Sequence, residues 1–271
     1  MWYSPSSVQC GCVRLIENMR EEAELNVQGK AALVTGGGTG IGRATALLLA
    51  DAGADVAVNY SRSVEEAEAT AGEVRAKGRR AMAVQADVAD DAAVRKMVSA
   101  VVAEFGRLDI LVNNAGWTEF IPQNDFESVT EHTWQRTMAV NVQGAFQCIR
   151  AAAEPMRAQG AGVIVNVSSV AATFARGSSI PYCASKAALN VVTRMAARSL
   201  APTIRVNAVA PGVVRTRWVE GQDGFIRSAQ MQTPFRRVAE PEDVAQAILA
   251  LIERNDFVTG QILPVDGGLS A

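Results

Sequence analysis

A tyrosine and a lysine lie four residues apart in the stretch "PYCASKAAL", at Tyr182 and Lys186. On a helix, residues at this spacing share one face, and their side chains come within reach of each other. At roughly 4 Å and an effective dielectric constant of ~20, the ammonium would favour the phenolate by about 4 kcal/mol, or about 3 pKa units. Such a pair would be a proton donor tuned towards neutral pH. The alternative is two solvated side chains on a surface helix.

A glycine-rich stretch, "VTGGGTGIG", follows the first apolar run of the chain. Gly36, Gly40 and Gly42 form G-x-x-x-G-x-G, a variant of the dinucleotide fingerprint. Between a strand and a helix, such glycines permit a tight turn and let backbone amides approach a pyrophosphate at the helix N-terminus. We therefore expect a dinucleotide site here. The alternative is a flexible glycine-rich turn.

The residues after the second apolar run indicate which dinucleotide binds. NAD enzymes of this architecture place an acid about 20 residues after the glycine motif. Asn59 and Tyr60 occupy that position, and Ser61 and Arg62 follow. A serine and an arginine suit a 2′-phosphate, so the sequence favours NADP(H). NAD(H) is the alternative, with Arg62 capping a surface turn. Asp87 ends the third run and is expected to meet the adenine amino group, or else to be a surface acid.

Short apolar runs alternate with amphipathic stretches from Lys30 to the C-terminus. The strand candidates are "AALVTG", "DVAVNY", "AMAVQAD", "LDILVNNAG", "GVIVNVSS", "IRVNAVAPG" and "GQILPV". Continuous runs of Val, Ile, Leu and Ala bounded by glycine are typical of buried parallel strands. The stretches between them predict helices, including a long one over residues 129–156 and one that carries Tyr182. The pattern predicts an α/β fold with helices on both faces of one sheet.

The chain divides into two parts. Residues 30–271 are expected to form one domain, because no linker, repeat or low-complexity tract interrupts them. Residues 1–29 are interpreted as an N-terminal extension, disordered or weakly helical over residues 14–25. Because Met19 lies shortly before Lys30, we hypothesise that residues 1–18 are absent from the native protein or form a disordered arm.

Composition excludes several classes of function. The 271 residues are 49% hydrophobic and 20% charged with a net charge of −2, so nothing indicates nucleic acid or an anionic membrane as a partner. No run of about 18 apolar residues predicts a membrane span, and the N-terminus lacks the features of a signal peptide. The four cysteines fit no metal-ligand spacing and are interpreted as reduced thiols of a cytoplasmic protein.

With the glycine loop, "NNAG" and Tyr-x-x-x-Lys in this order, the chain resembles the short-chain dehydrogenase/reductase family from about Lys30 to the C-terminus. It looks most similar to the 3-oxoacyl-carrier-protein reductase and glucose dehydrogenase-like branches. The resemblance implies a single doubly wound Rossmann domain with a seven-stranded, mainly parallel sheet. It also implies transfer of a hydride between the nicotinamide cofactor and a carbonyl or secondary alcohol, and a homotetramer.

The resemblance implies a catalytic role for each of four residues of this chain. It makes Tyr182 the general acid or base and has Lys186 lower the pKa of the phenol and bind the nicotinamide ribose. Ser169, 13 residues before the tyrosine, would donate to the substrate oxygen as negative charge develops. Its neighbour Ser168 is expected to face away, since successive residues leaving a strand point to opposite sides. Asn141 would hold a water in the proton relay.

The resemblance also implies a cofactor site and, less specifically, a substrate pocket. Cofactor contacts are expected from Gly36, Thr39, Gly40, Ile41, Gly42, Ser61, Arg62, Asp87, Val88, Asn114, Ala115, Gly116, Tyr182, Lys186, Pro211, Gly212, Val214 and Thr216. Residues directly after the motifs are candidates to line the pocket, namely Trp117, Phe174, Ile180, Val213 and Trp218. Arg176, Arg215 and Arg217 are candidates to meet an anion at its mouth. Residues 213–237 show few regular signals and are interpreted as a mobile lid.

Two classes of function stay open at the level of sequence. The first is an active NADP(H)-dependent oxidoreductase, whose substrate could be a carrier-bound acyl chain, a ketone, a steroid or a sugar. The second is a catalytically silent sensor or scaffold of the same fold. The presence of all four residues of the Asn–Ser–Tyr–Lys set favours the enzyme, because a silent protein has little reason to keep them.

Overall fold

The computed structural model describes residues 27–253 and 256–271, and its centre is a seven-stranded sheet. The strands are β1 Ala31–Val34, β2 Asp55–Tyr60, β3 Ala81–Gln85, β4 Ile110–Asn113, β5 Gly162–Val167, β6 Ile204–Pro211 and β7 Ile262–Val265. Every strand pairing is parallel, and the order across the sheet is β3-β2-β1-β4-β5-β6-β7. The seven apolar runs therefore form the seven strands, which confirms the predicted α/β sheet.

Helices connect the strands and cover both faces of the sheet. They are α1 Gly40–Asp51, α2 Val64–Ala76, α3 Asp91–Phe105, α4 Glu131–Met138, α5 Ala145–Ala158, the short α6 Ala171–Phe174, α7 Ile180–Leu200, α8 Asp223–Gln232 and α9 Pro241–Glu253. In β1, Leu33 belongs to the core formed with α3 and α5, and Val34 to the core formed with α1 and α9. Successive strand residues point to opposite faces, so each helix layer covers one face of a doubly wound sheet.

The sheet has a crevice where its strand order reverses. From β1 the chain continues on one side through β2 and β3, and then crosses to β4 on the other side of β1. Ligands of such sheets bind outside the carboxyl ends of the strands at this point. The glycine loop follows β1 and "NNAG" spans the end of β4, so the topology brings the two motifs together.

The long helix predicted over residues 129–156 is interrupted in the structure. A π-helical segment, Ala139–Gly144, separates α4 from α5. At Gly144, a Cβ would lie 2.7 Å from a methyl group of Val88, so the segment packs closely against the residues after β3. Apolar periodicity gives no signal for the wider turn, and π-helical turns are often found at functional sites. Asn141 lies in this segment.

The described part of the chain begins with residues that join the core. Val27 is fully buried, and the N–H group of Gly29 donates to the carbonyl of Gly53. The predictions for residues 1–18 and 14–25 lie outside the described residues. Within residues 27–253 and 256–271, no helix is long and apolar enough to cross a membrane, and no group of His, Cys, Asp or Glu is arranged to hold a metal ion.

Candidate active site

The glycine loop after β1 is compact and leaves no room for side chains. Gly36 has a φ of +60°, in the left-handed region that favours glycine. A Cβ on Gly42 would lie 2.3 Å from the carbonyl oxygen of Gly36. Bare loop backbone therefore lines the crevice, as close approach of a pyrophosphate requires.

Asn59, which occupies the position of the usual acid, holds the glycine loop in place. Its Oδ1 accepts a hydrogen bond from the N–H of Gly36 at 3.3 Å. Its Nδ2 donates to the carbonyl oxygens of Val84 and Ala86 at 3.2 and 3.0 Å. The side chain is almost fully buried, so Asn59 joins three segments of backbone. Apart from the missing acid, no sequence pattern indicated this role.

The "NNAG" stretch forms the opposite wall of the crevice. The Nδ2 of Asn114 donates to the carbonyl oxygens of Thr35 and Gly36 at 2.9 and 3.0 Å. The main-chain N–H groups of Asn114 and Ala115 both donate to Thr35 Oγ1 at 3.0 Å. These bonds fasten the end of β4 to the glycine loop, so the two motifs form one rigid rim.

The far end of the crevice carries the residues predicted to select the dinucleotide. Ser61 and Arg62 are exposed after β2, and the Arg62 side chain has no hydrogen bond or ion pair to the described residues. Asp87 accepts from the N–H of Ala89 at 3.0 Å and from Arg136 at 2.8 Å. Asp87 is therefore a partner of Arg136, which the sequence did not indicate, and it also lines the crevice.

One cavity of about 1120 Å³ joins this end to the Tyr182 region. The predicted site residues that line it are Gly36, Thr39, Gly40, Ile41, Ser61, Arg62, Asp87, Val88, Asn114, Ala115, Gly116, Trp117, Ser169, Phe174, Tyr182, Lys186, Pro211, Gly212, Val213, Val214, Thr216 and Trp218. Arg176 and Arg217 line it as well, and Arg215 does not. Gly42, Asn141 and Ile180 also lie outside the lining.

These three residues do not form the surface of the cavity, and the roles assigned to them stay predictions. Gly42 is buried against Gly36 and supports the loop from below. Ile180 begins α7, and Tyr182, two positions later, takes the side that faces the cavity, because residues two apart on a helix do not share a face. Asn141 is nearly fully buried behind the wall.

The reactive groups converge at the start of α7 and the end of β5. Ser179 caps α7 by accepting from the N–H of Tyr182 at 3.4 Å. One turn later, the Nζ of Lys186 lies 5.6 Å from the Tyr182 ring centroid and donates to the carbonyl oxygen of Val167 at 2.8 Å. Ser169 lies beside the side chain of Tyr182, where its hydroxyl lowers the pKa of the phenol. The structure thus brings Ser169, Tyr182 and Lys186 into one cluster on the cavity wall.

The protonation of this cluster differs from the prediction. Burial raises the pKa of Tyr182 to about 12, although the Ser169 hydroxyl acts in the opposite direction. Burial also lowers the pKa of Lys186 to about 8. The expectation that Lys186 brings the phenol pKa towards neutrality is wrong for this arrangement. The ammonium is bonded to Val167 rather than to the phenol, and desolvation of the phenolate dominates.

The two serines after β5 point in different directions, as alternation predicts. Ser168 Oγ donates to Asn190 Oδ1 at 2.6 Å and is buried against α7. Ser169 Oγ accepts from the N–H of Ala171 at 3.1 Å and lies beside Tyr182. Of the pair, Ser169 therefore has the hydroxyl that can reach a ligand in the cavity.

The Asn141 side chain is committed to structural hydrogen bonds. Its Oδ1 accepts from the N–H of Trp117 at 2.7 Å, and its Nδ2 donates to the Trp117 carbonyl at 2.9 Å and to Ser185 Oγ at 3.0 Å. Both amide protons are used, so a water held at Asn141 would have to donate to an oxygen of this residue, and the role in the proton relay stays a prediction. The amide fixes the backbone of Trp117 in the cavity wall.

Residues 213–237 cover the open side of the cavity. They contain a 3-10 helix, Arg217–Val219, and α8, none of whose residues is buried. The Trp218 ring meets Tyr182 edge to face at 6.3 Å, and Phe225 meets Phe120 in the same manner at 6.3 Å. Phe120 and Phe225 line the cavity but were missed in the sequence, because neither lies directly after a motif.

A dinucleotide crevice joined to a Ser–Tyr–Lys cluster is the arrangement of a doubly wound oxidoreductase. A family model described as enoyl-(acyl carrier protein) reductase matches residues 36–270. The chain is 44% identical over 240 residues to "Granaticin polyketide synthase putative ketoacyl reductase 2" of Streptomyces violaceoruber, covering 88% of this chain and 94% of that one. It is 40% identical over 243 residues to the 3-oxoacyl-[acyl-carrier-protein] reductase FabG of Staphylococcus aureus, covering 89% and 98%.

A solved structure gives the same result. A short chain dehydrogenase from Burkholderia cenocepacia in complex with NADP superimposes with a TM-score of 0.84 at 39% identity, covering 91% of this chain and all of that chain. The chain therefore belongs to the short-chain dehydrogenase/reductase family. It is an oxidoreductase of the class that interconverts alcohol and carbonyl groups.

Proposed function

We propose that this chain is an NADP(H)-dependent reductase of carbonyl groups in which Tyr182 is the proton donor. The observation that carries the proposal is the single cavity that joins Ser61 and Arg62, the glycine loop and the Ser169–Tyr182–Lys186 cluster. The NADP complex of the Burkholderia relative and the reductase names of the two curated relatives support it.

The residues present fit a phosphorylated dinucleotide. The glycine loop accepts no side chain where a pyrophosphate must approach, and Arg62 is a cation without a partner among the described residues. Thr39, Ile41, Asn114 and Thr216 would hold the dinucleotide along the crevice. The bound nicotinamide supplies the hydride, whereas the protein supplies orientation and electrostatics.

The protonation states favour reduction over oxidation. With a pKa of about 12, Tyr182 keeps its proton at neutral pH and is ready to donate it to a carbonyl oxygen. Ser169 would donate a hydrogen bond to the same oxygen as negative charge develops there. Alcohol oxidation requires the phenolate as base, which burial disfavours. Asn141 would take part in the proton relay only as an acceptor for a water, because both protons of its side-chain amide are already donated.

The cavity walls suggest a substrate with an extended apolar part. Trp117, Phe120, Phe174, Trp218 and Phe225 line the part of the cavity beyond Tyr182. Arg176 lies in the same wall and would suit an anionic group at the mouth. We therefore propose a ketone on an acyl chain, free or carrier-bound, in keeping with the names of the ketoacyl and 3-oxoacyl relatives.

We also propose a homotetramer located in the cytoplasm. Apolar side chains are exposed on the outer faces of α4, α5 and α7, at Trp134, Phe146, Val191 and Met195. Burial of these faces against other copies would remove the exposed patch. Light scattering that gives a monomeric mass would contradict the tetramer. The free thiols Cys148 and Cys183 suit a reducing compartment.

The decisive experiment compares binding with turnover. Wild-type protein is titrated with NADPH and NADH by nicotinamide fluorescence and then assayed for NADPH oxidation with a β-ketoester. Tyr182→Phe is expected to abolish turnover, because the proton donor is lost, and to leave the Kd for NADPH nearly unchanged. A variant that retains turnover would refute the role of Tyr182. A wild type that binds NADPH but reduces no carbonyl would favour the silent cofactor-binding protein.

A further inference from the structure

An arginine of the lid reaches across the crevice to the opposite side. Arg217, in the 3-10 helix of residues 213–237, places its Nη1 3.4 Å from Ser63 Oγ and 3.8 Å from Glu66 Oε1. Ser63 directly precedes α2, and its hydroxyl makes no capping bond to that helix. Arg217 therefore ends at the first turn of α2, next to the loop that follows β2.

The same place holds the residues proposed to recognise the 2′-phosphate. Ser61, Arg62, Ser63 and Arg217 all line the one cavity. Two guanidinium groups and two serine side chains thus converge at its adenosine end. The Arg62 guanidinium lies on the body of the protein and the Arg217 guanidinium on the lid.

The present contacts of Arg217 are too weak to explain its position. Both are long, and Arg217 and Glu66 are about half exposed, so this ion pair contributes little stability. A phosphate dianion is a stronger partner for a guanidinium than a half-exposed carboxylate at 3.8 Å. Glu66 would repel a phosphate bound beside Ser63, and the charge of Arg217 offsets that repulsion.

We infer that Arg217 recognises the 2′-phosphate of the dinucleotide from the lid, as a determinant of cofactor preference additional to Ser61 and Arg62. The inference rests on the proposed use of NADP(H). Arg217 is followed directly by Trp218, whose ring lies against Tyr182. A phosphate that holds Arg217 therefore also holds Trp218 over the reactive cluster, so phosphate recognition and closure of the site share one segment.

The test measures equilibrium binding of four probes: 2′-AMP, 5′-AMP, NADPH and NADH. Arg217→Gln is expected to raise the Kd for NADPH and for 2′-AMP about tenfold, the loss of roughly one charge-assisted hydrogen bond. The Kd for NADH and for 5′-AMP should change by less than about twofold, because neither carries a 2′-phosphate. Glu66→Gln should lower the Kd for NADPH and leave the Kd for NADH unchanged, because it removes a negative charge beside the phosphate.

Arg215→Gln is the matched control. Arg215 lies two residues earlier, is exposed to the same degree, and pairs with Glu240 at 3.0 Å rather than facing the cavity. It should leave the ratio of the NADPH and NADH dissociation constants unchanged. Its result separates loss of lid charge in general from loss of the contact made by Arg217.

The outcomes distinguish this inference from the proposed function. If Arg217→Gln raised the Kd for NADPH and the Kd for NADH equally, Arg217 would be a lid contact that does not recognise the phosphate, and the inference would be overturned. A wild-type preference for NADPH that survives in Arg217→Gln would also overturn it, although the proposed cofactor would then stand. A wild type that prefers NADH overturns both the inference and the assignment of NADP(H), while hydride transfer stands. A wild type that binds neither dinucleotide overturns all three.

Discussion

Replacing Lys186 with methionine is expected to change how the stability of the protein depends on pH. The side chain is 3% exposed, and its only hydrogen bond to the described residues runs from Nζ to the Val167 carbonyl at 2.8 Å. Burial lowers its pKa from 10.5 to about 8. The folded state therefore binds the proton of the Lys186 ammonium less tightly than the unfolded chain does. Methionine has a side chain of similar length and removes the buried charge.

The sign and size of the effect follow from the two pKa values. Below pH 8 the amine is protonated in both states, and the folded protein bears the full cost of burying the charge. Between pH 8 and 10.5 the unfolded chain binds more protons, so stability rises with pH. The buried charge therefore lowers the free energy of unfolding by about 3 kcal/mol at pH 7 and by about 1 kcal/mol at pH 9.5. Tyr182, with a pKa of about 12, keeps its proton over this range in the folded state.

Urea unfolding at pH 7, 8 and 9.5 measures the difference between wild type and Lys186→Met. Relative to the variant, the free energy of unfolding of the wild type should rise by about 2 kcal/mol between pH 7 and 9.5, because the lysine loses its charge. Lys96→Met, at an exposed position of α3, controls for the introduction of methionine. A difference that stays constant within about 0.5 kcal/mol over this range would refute the account of Lys186 as a buried charge.

Two further variants test the glycine loop and the lid. Gly42→Ala places a Cβ 2.3 Å from the carbonyl of Gly36 and should destabilise the protein by about 1–3 kcal/mol and weaken NADPH binding, as measured by urea unfolding and fluorescence titration. Gly224→Ala, where a Cβ meets open space, should do neither, and equal effects would contradict the steric argument. Trp218→Ala removes the ring beside Tyr182 and should raise kcat/KM for bulky ketones relative to small ones by about tenfold. Phe235→Ala, 73% exposed on the same lid, should leave that ratio unchanged.

The sheet and the two motifs at its carboxyl edge could be read from the sequence because both depend on local patterns. Buried parallel strands are continuous apolar runs, and the runs that end at Val34 and Asn113 carry the glycine loop and "NNAG" with them. Once the strands are placed, the topology alone brings these motifs to one crevice. The helix that carries Tyr182 was predicted without its bounds, although its start at Ile180 also has a local cause, since Ser179 and Pro181 are helix-initiating residues.

The remaining features depend on contacts between residues distant in sequence. The π-helical segment at Asn141 cannot be recognised from periodicity, and the use of the Asn141 amide depends on Trp117, 24 residues earlier. The pKa of Tyr182 is set by burial in the folded protein rather than by the lysine one turn away. Helix α8 left no apolar pattern because none of its residues is buried.

The Asn59 amide has a consequence for any redesign of cofactor preference. An obvious exchange would place aspartate at the end of β2 to attract an unphosphorylated ribose. At this position aspartate has no amide protons, so the exchange would remove the hydrogen bonds that Asn59 donates to the carbonyls of Val84 and Ala86. The link between the glycine loop and the end of β3 would be lost. A change of preference would therefore have to be introduced further out, at Ser61 and Arg62, whose side chains make no hydrogen bond to the described residues that the exchange would break.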